Sequence, residues 1–81
     1  MSHYQILLKK SFVDSENQYS ELNLDWIYTE HIDALNRFNE LVKDEAEFVA
    51  SILFSRITDE IILVRKDEGQ ITKLQRINLS N

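Results

Sequence analysis

Apolar and polar residues alternate at the start of the chain, from His3 to Phe12. A two-residue period is typical of a strand with one buried face. The predicted buried side chains are Tyr4, Ile6, Leu8 and Phe12. Residues 14–17 (Asp-Ser-Glu-Asn) predict a turn, because such side chains bond to nearby backbone. A second, shorter alternation from Leu22 to Tyr28 predicts a strand that forms a hairpin with the first.

A helical period follows over residues 30–43. Thr29 is the predicted N-cap, and Glu30 and Asp33 fall in the first turn, where acids favour the positive end of the helix dipole. At about 100° per residue, the apolar side chains gather on one face of this helix. They are Ala34, Leu35, Phe38, Leu41 and Val42. The opposite face is polar and consists of Asp33, Asn36, Arg37, Glu40 and Lys43.

Two interpretations fit residues 46–57. A strand over 48–57 is favoured by the alternation that begins at Phe48 and by the high content of β-branched and aromatic residues. In this interpretation Asp44 and Glu45 interrupt the chain after the helix. The same region also contains apolar residues spaced as in a helix that continues without a break. These are Val42, Ala46, Val49, Leu53 and Ile57. The sequence favours the strand, and the continuous helix stays open as the alternative.

Four consecutive apolar residues at 61–64 predict a strand with both faces covered, over residues 60–66. The acidic pairs at 59–60 and 67–68 are predicted to lie in loops at the two ends of this strand. A hairpin loop over 66–70 is predicted to place a type I turn at Asp67 and Glu68, followed by a residue with positive φ. Gly69, the one glycine of the chain, stands at that position.

A last strand is predicted over residues 71–77. Lys73 and Arg76 suit the edge of a sheet, where charged side chains discourage pairing with further strands. Residues 78–81 are predicted to be frayed. The elements together predict one α+β domain over residues 1–81. One amphipathic helix packs on a mainly antiparallel sheet of three to five strands, in the chain order β-(β)-α-β-β-β.

Composition excludes several classes of function. The chain has 81 residues, no cysteine, no proline and one glycine. Disulfide scaffolds, thiolate metal sites and cysteine nucleophiles are therefore excluded, and so are glycine-rich phosphate-binding loops. No apolar run approaches the roughly 20 residues of a membrane helix. The absence of cysteine fits a reducing compartment, so we expect a cytoplasmic protein without membrane contact.

The net charge of −5 is unevenly distributed. Residues 14–47 carry ten acidic and two basic side chains, whereas the flanking segments are slightly basic. Direct binding to a phosphate backbone needs the opposite sign of charge, so no direct nucleic-acid contact is expected. A dense negative surface instead favours a basic surface on another protein.

The residues with catalytic potential are few. His31 falls on the apolar helix face, and no second histidine follows at the spacing of a metal site on the same helix. The acids around residues 40–47 lack the alternating spacing of a calcium loop. We therefore expect no enzyme activity, cofactor or metal. A small hydrolase or metal-binding enzyme is the minor hypothesis, and it requires abnormal titration of His31 or stabilisation by a divalent metal.

The predicted partner-binding surface is the outer helix face with the acidic connection that follows it. Its residues are Asp33, Arg37, Glu40, Asp44, Glu45 and Glu47, with Trp26 as the nearby aromatic contributor. Trp26 fits a core position as well as an interface anchor. In size and acidity the chain resembles the small inhibitors of phages and mobile elements, including anti-CRISPR and anti-restriction proteins. No motif ties any residue to one of those families.

The favoured hypothesis is thus a non-enzymatic, protein-binding module that occupies a basic, nucleic-acid-handling surface. The alternative is a self-assembling, homodimeric structural or accessory subunit without a nucleic-acid connection. A domain of this size gains stability from a partner, and the apolar segments at 48–57 and 60–64 exceed what one helix covers. The alternative predicts that Ile62→Lys yields a monomer or an unfolded chain.

Overall fold

The computed structural model describes residues 2–52 and 55–81 of the chain. Its elements are two strands, one helix and two further strands. Their bounds are β1 Ser2–Val13, β2 Tyr19–Tyr28, α1 His31–Ser51, β3 Arg56–Asp67 and β4 Gln70–Ser80. The predicted α+β class is confirmed, with four strands and a single helix among the described residues. No helix in these residues is both long and apolar enough to cross a membrane.

The four strands form one antiparallel sheet in the order β2-β1-β3-β4. Since β2 and β3 both run antiparallel to β1, they are parallel to each other, and α1 joins them across β1. Such a crossover requires a long connection. The 21-residue helix provides it and lies against one face of the sheet. We call the other face, which carries no second layer among the described residues, the open face.

Strand register places the apolar residues of β1 and β3 under the helix. Ile6 lies opposite Leu63, and Leu8 lies opposite Ile61. The buried helix residues that pack against them are Ala34, Phe38 and Leu41. The predicted apolar faces of β1 and of the helix are therefore confirmed. The prediction that β3 is covered on both faces is wrong for Ile62, which is half-buried on the open face.

Helix α1 continues to Ser51, so the strand favoured for residues 48–57 is wrong over its first four residues. The continuous helix is the correct alternative there, and Val49 is buried on the same side as Leu41. Asp44 and Glu45 do not break the helix, because Asp44 faces solvent and Glu45 packs toward the sheet. Residues 53 and 54 lie outside the described part of the chain.

The helix begins without the predicted Thr29 cap. Its N-cap is Glu30, and no side-chain capping bond is formed within the part of the chain that the structure describes. A contact with the sheet holds the first helical residue instead, because the His31 ring stacks on Tyr4 at 4.9 Å between centroids. Capping bonds contribute about 1 kcal/mol, so a packing contact of similar magnitude can set the start of a helix.

Both hairpin turns use the predicted residue types. In the first, Asp14 Oδ1 accepts hydrogen bonds from the backbone N–H groups of Glu16 and Gln18, each at 2.9 Å. In the second, Glu68 and Gly69 both have positive φ, 21° and 86°, as in the two-residue loops of tight hairpins. The predicted type I turn at Asp67 is wrong, because Asp67 still pairs with Gln70 in the ladder.

The last strand is an edge strand, as predicted, but the predicted fraying of residues 78–81 is wrong. Strand β4 continues to Ser80, and the Asn81 side chain binds the connection between α1 and β3. Asn81 Oδ1 accepts from the Ile57 N–H at 2.9 Å. Its Nδ2 donates to the Ser55 and Ile52 carbonyls at 2.7 and 3.2 Å. One amide thus joins three backbone groups that neither helix nor sheet satisfies.

Asn81→Ala is expected to lower the free energy of unfolding by about 1–2 kcal/mol, because it leaves the partly buried Ile57 N–H without its acceptor. Urea denaturation measures this change. Gln75→Ala, at an exposed position of the same strand that does not lie on the open face, is the matched control and should cost less than about 0.5 kcal/mol. Equal losses in the two variants would show that the Asn81 bonds do not contribute.

Candidate functional site

Exposed carboxylates run along the outer face of α1. They belong to Asp33, Glu40, Asp44 and Glu47. At a rise of 1.5 Å per residue, they span about 21 Å of helix. Arg37 Nη1 lies 3.1 Å from Glu40 Oε2, but exposed pairs of this kind are weak and leave the carboxylate available to a partner. We call these four acids, with Arg37, the acidic face.

Trp26 lies at the border between the core and this face. Its side chain is half-buried on β2 and packs against the core. The guanidinium carbon of Arg37 lies 5.6 Å from the centre of the Trp26 ring, within the range of a cation–π contact. The structure therefore brings the predicted aromatic next to the helix, in a position that combines packing and partial exposure.

Glu45 differs from the other predicted site residues. Its side chain points from the helix toward the sheet, and Lys10 Nζ lies 2.6 Å from its Oε2. The two side chains are only 14% and 13% exposed. The Lys10 ammonium also lies 4.3 Å from the centre of the Phe48 ring. Glu45 thus belongs to the interior of the protein and not to the acidic face.

Asp59 completes this interior group. It lies within β3 directly opposite Lys10, so the prediction that residues 59–60 form a loop is wrong. Its side chain is fully buried, and with both acids ionised neither Asp59 oxygen has a hydrogen-bond donor among the described residues. Two ionised carboxylates cannot bond to each other, whereas a proton on Asp59 makes it a donor toward neighbouring Glu45. We call Lys10, Glu45 and Asp59 the buried triad.

The surroundings shift the pKa values of the two acids of the buried triad in opposite directions. Burial, reinforced by the hydrogen bond and charge of Glu45, raises the pKa of Asp59 to about 7, against the attraction of Lys10. Burial also acts to raise the pKa of Glu45, but hydrogen bonds from Asp59 and Lys10 outweigh it and lower that pKa. Near neutral pH the pair therefore carries between one and two negative charges beside one lysine.

The triad was not among the sequence-predicted sites, although a signal for it exists. Lys10 occupies the same alternating set as Ile6 and Leu8, and Asp59 stands between Ile57 and Ile61 in the corresponding set of β3. A charged residue on an otherwise apolar strand face needs a buried partner. Asp59 was instead predicted to lie in a loop before the strand over 60–66, and only a strand that begins before Asp59 makes this signal visible.

The remaining candidates from the sequence were His31 and a metal site. His31 is exposed and stacks on Tyr4. Over residues 2–52 and 55–81, no group of three histidine or acidic side chains is arranged to hold a metal ion. Comparisons with protein-family models, curated proteins and solved structures find no match to this chain. The acidic face, the open face and the buried triad are therefore the features from which its function is inferred.

Proposed function

We propose that this protein is a non-enzymatic binding module whose acidic face occupies a basic surface on another protein. The observation that carries the proposal is the row of four exposed carboxylates along about 21 Å of one helix. The helix is rigid over this length because its opposite side packs into the core through Phe38 and Leu41. A preorganised row of charges loses little conformational entropy on binding.

A groove that handles nucleic acid suits such a row best. It presents lysine and arginine side chains along a path shaped for a chain of phosphates, and carboxylates can neutralise the same cations. Electrostatic attraction would then speed association and make affinity depend strongly on salt. Under this proposal the protein acts as a small acidic inhibitor that competes with nucleic acid, like those of phages and mobile elements. A cytoplasmic location fits a chain without cysteine.

Trp26 supplies the aromatic part of the proposed surface, next to Arg37. Tryptophan and arginine are enriched at the centres of protein interfaces, where they are desolvated by the partner. The cation–π contact between these two side chains borders the acidic face. We include both in the proposed surface with Asp33, Glu40, Asp44 and Glu47. We leave out Glu45, whose carboxylate is paired with Lys10 in the interior.

Reversal of two acids tests this proposal. The full chain is immobilised and exposed to a lysate of its source. A captured protein counts only if it is released at about 0.5 M salt, where the screening length falls to a few ångströms, and is displaced by added duplex DNA. We expect Asp44→Lys/Glu47→Lys to lose this capture, because the reversed charges repel a basic groove.

Glu16→Lys/Glu68→Lys is the matched control. It changes the net charge equally, and its two positions lie in the hairpin turns and not on α1. Capture by this control together with loss in the helix variant supports binding through the acidic face. Equal loss in both variants indicates a response to net charge alone and contradicts the proposal. Capture that DNA does not displace contradicts competition for a nucleic-acid site.

A further inference from the structure

The open face of the sheet combines exposed apolar residues with a concave centre. Leu7, Ile27 and Ile71 are 36%, 64% and 65% exposed, and strand register places all three on this face. A concavity of about 330 Å³ lies among residues of β1, β2 and β3. Its lining on this face is Leu7, Lys9, Asn23, Asp25, Glu60 and Ile62. A four-stranded sheet with such a face is half of a two-layer sandwich.

The charges on the open face follow the strand register. Asp25 of β2 pairs with Leu7, Leu7 with Ile62, and Ile62 with Arg76 of β4. We call these four residues the first row. It reads acidic, apolar, apolar, basic across the sheet. The same row in the reverse order is basic, apolar, apolar and acidic. When a row and a reversed copy of it face each other, each acid therefore meets a base and each apolar residue meets an apolar residue.

The neighbouring row has the same property. Asn23 pairs with Lys9, Lys9 with Glu60, and Glu60 with Asn78. We call these residues the second row. When the reversed row of a second copy faces this row, a glutamate lies opposite the lysine and an asparagine lies opposite each asparagine. Both rows also contribute to the lining of the concavity. Complementarity in two consecutive rows therefore covers the centre of the open face.

Only one of the two simple symmetry axes uses this complementarity. When two copies meet sheet to sheet, a two-fold axis parallel to the strands places β2 of one copy over β4 of the other, which reverses each row. A two-fold axis across the strands places β2 over β2 and β4 over β4. Asp25 then never lies over Arg76, and when the axis passes through the first row Asp25 faces Asp25 and Arg76 faces Arg76. Juxtaposed like charges cost several kcal/mol, so the charges select the axis along the strands.

We infer that a second copy of this chain covers the open face, related by a two-fold axis parallel to the strands. Asp25 of each copy faces Arg76 of the other, and Leu7 faces Ile62. The facing charges are already held in place. Asp25 Oδ2 accepts a hydrogen bond from Gln5 Nε2 at 2.7 Å, and Arg76 Nε donates to Glu60 Oε2 at 2.9 Å.

A buried amide supports the same arrangement. Gln5 is buried on the open face, and its Oε1 has no donor among the described residues. Gln5 lies in line with Ile27 on one side and with Val64 and Lys73 on the other. In the two-fold arrangement the second copy presents this row in the reverse order, so its Lys73 lies over Ile27, next to Gln5. The second copy thereby brings the ammonium group of Lys73, a hydrogen-bond donor, to the position beside the Gln5 side chain.

The open face is large enough for a stable interface. Four strands about 4.8 Å apart, each with about ten residues at about 3.4 Å, project to roughly 650 Å². A standard protein–protein interface buries about 800 Å² on each partner. The accessible area of a corrugated sheet exceeds its projection, so the two values agree. The two α1 helices then lie on opposite outer sides, and both acidic faces remain exposed.

Sedimentation velocity of the full chain tests this inference. We expect the wild type to form a dimer between micromolar and submillimolar concentrations. Asp25→Arg and Arg76→Asp should each weaken dimerisation at least about tenfold, because each creates two facing pairs of like charge. An equimolar mixture of the two variants should recover a 1:1 dimer, since the arginines of one chain then face the aspartates of the other. Circular dichroism checks that both exposed-site variants remain folded.

Ile32→Lys is the matched control for apolar contact. Ile32 is exposed on α1 and lies away from the open face, so this variant should dimerise like the wild type, whereas Ile27→Lys should not. A wild type that stays monomeric throughout the range overturns the inference. Dimers that survive both charge variants also overturn it, because they use another surface, such as the sheet edges. Loss of dimers in Ile32→Lys would place the contact on the helix and has the same consequence.

Discussion

Lys10→Met is expected to lower the free energy of unfolding by roughly 2–4 kcal/mol near pH 8. The Lys10 ammonium lies 2.6 Å from Glu45 and directly opposite the fully buried Asp59. Methionine keeps most of the side-chain volume but removes the positive charge. Two acids then remain in the interior without a compensating cation, which is the costly way to break a buried ion pair.

Urea denaturation of the folded variant, followed by circular dichroism, measures this loss. Lys43→Met is the matched control, because Lys43 is exposed on α1 and lies outside both the buried triad and the open face. Loss of such an exposed charge should cost less than about 1 kcal/mol. The Lys10→Met loss should shrink near pH 5, where Asp59 is protonated and Glu45 is the one acid of the buried triad that still carries a charge. Equal losses in the two variants, or a loss independent of pH, would contradict a buried charge cluster.

The second large effect is a fall in the stability of the wild type as pH rises from about 4 to about 7. The pKa of Asp59 is raised from its ordinary value of 3.8 to about 7 in the folded protein. The folded state therefore binds a proton more tightly than the unfolded chain does. Between these two pKa values, each rise in pH favours the unfolded state, by up to about 4 kcal/mol in total.

The groups around Asp59 explain why its pKa is raised. Burial raises the pKa of Asp59, and Glu45 of α1 adds to the rise because it accepts a hydrogen bond from protonated Asp59 and carries a negative charge. Lys10 of β1 acts to lower this pKa, and β4 places apolar Leu79 opposite Asp59. The lowered pKa of Glu45 acts in the other sense, since its stabilising contribution is lost as pH falls below about 4.5. The decline assigned to Asp59 should therefore be clearest between about pH 5 and 7.

Asp59→Asn provides the comparison. The amide stays neutral and can donate to Glu45 at every pH, so the variant should be more stable than the wild type near pH 8 and lack the decline. The two proteins differ in this one side chain, so the difference between their stability profiles isolates Asp59. Carbon-13 NMR of the Asp59 carboxyl should give a midpoint near 7. Parallel stability profiles, or a midpoint near 4, would contradict the assignment.

The buried triad also lies under the proposed binding surface. Glu45 stands between Asp44 and Glu47 in the sequence of α1, and these two residues belong to the acidic face. The carboxylate of Glu45 anchors this part of the helix to β1 through Lys10. Loss of that anchor is therefore expected to disturb the outer acids as well. Capture experiments with the acidic-face variants are best done in protein whose triad is intact.

Local sequence patterns predicted a large part of this fold. Alternation predicted β1 and β2, the 3.6-residue period predicted the face of α1 that contains Phe38, and Gly69 predicted a positive φ. These features depend on backbone geometry and on which side chains avoid water, and both are encoded over a few residues. The uneven distribution of charge likewise predicted the exposed acids of the helix.

The tertiary structure decided what depends on residues far apart in the chain. Glu45 looked like a helix break because its partners, Lys10 and Asp59, lie 35 and 14 residues away. Asn81 looked frayed because its hydrogen-bond partners lie in the connection between α1 and β3. Pairing across four strands also aligned Asp25 with Arg76. No local period carries such information, since the energy of a buried charge or of a facing pair depends on what folding brings beside it.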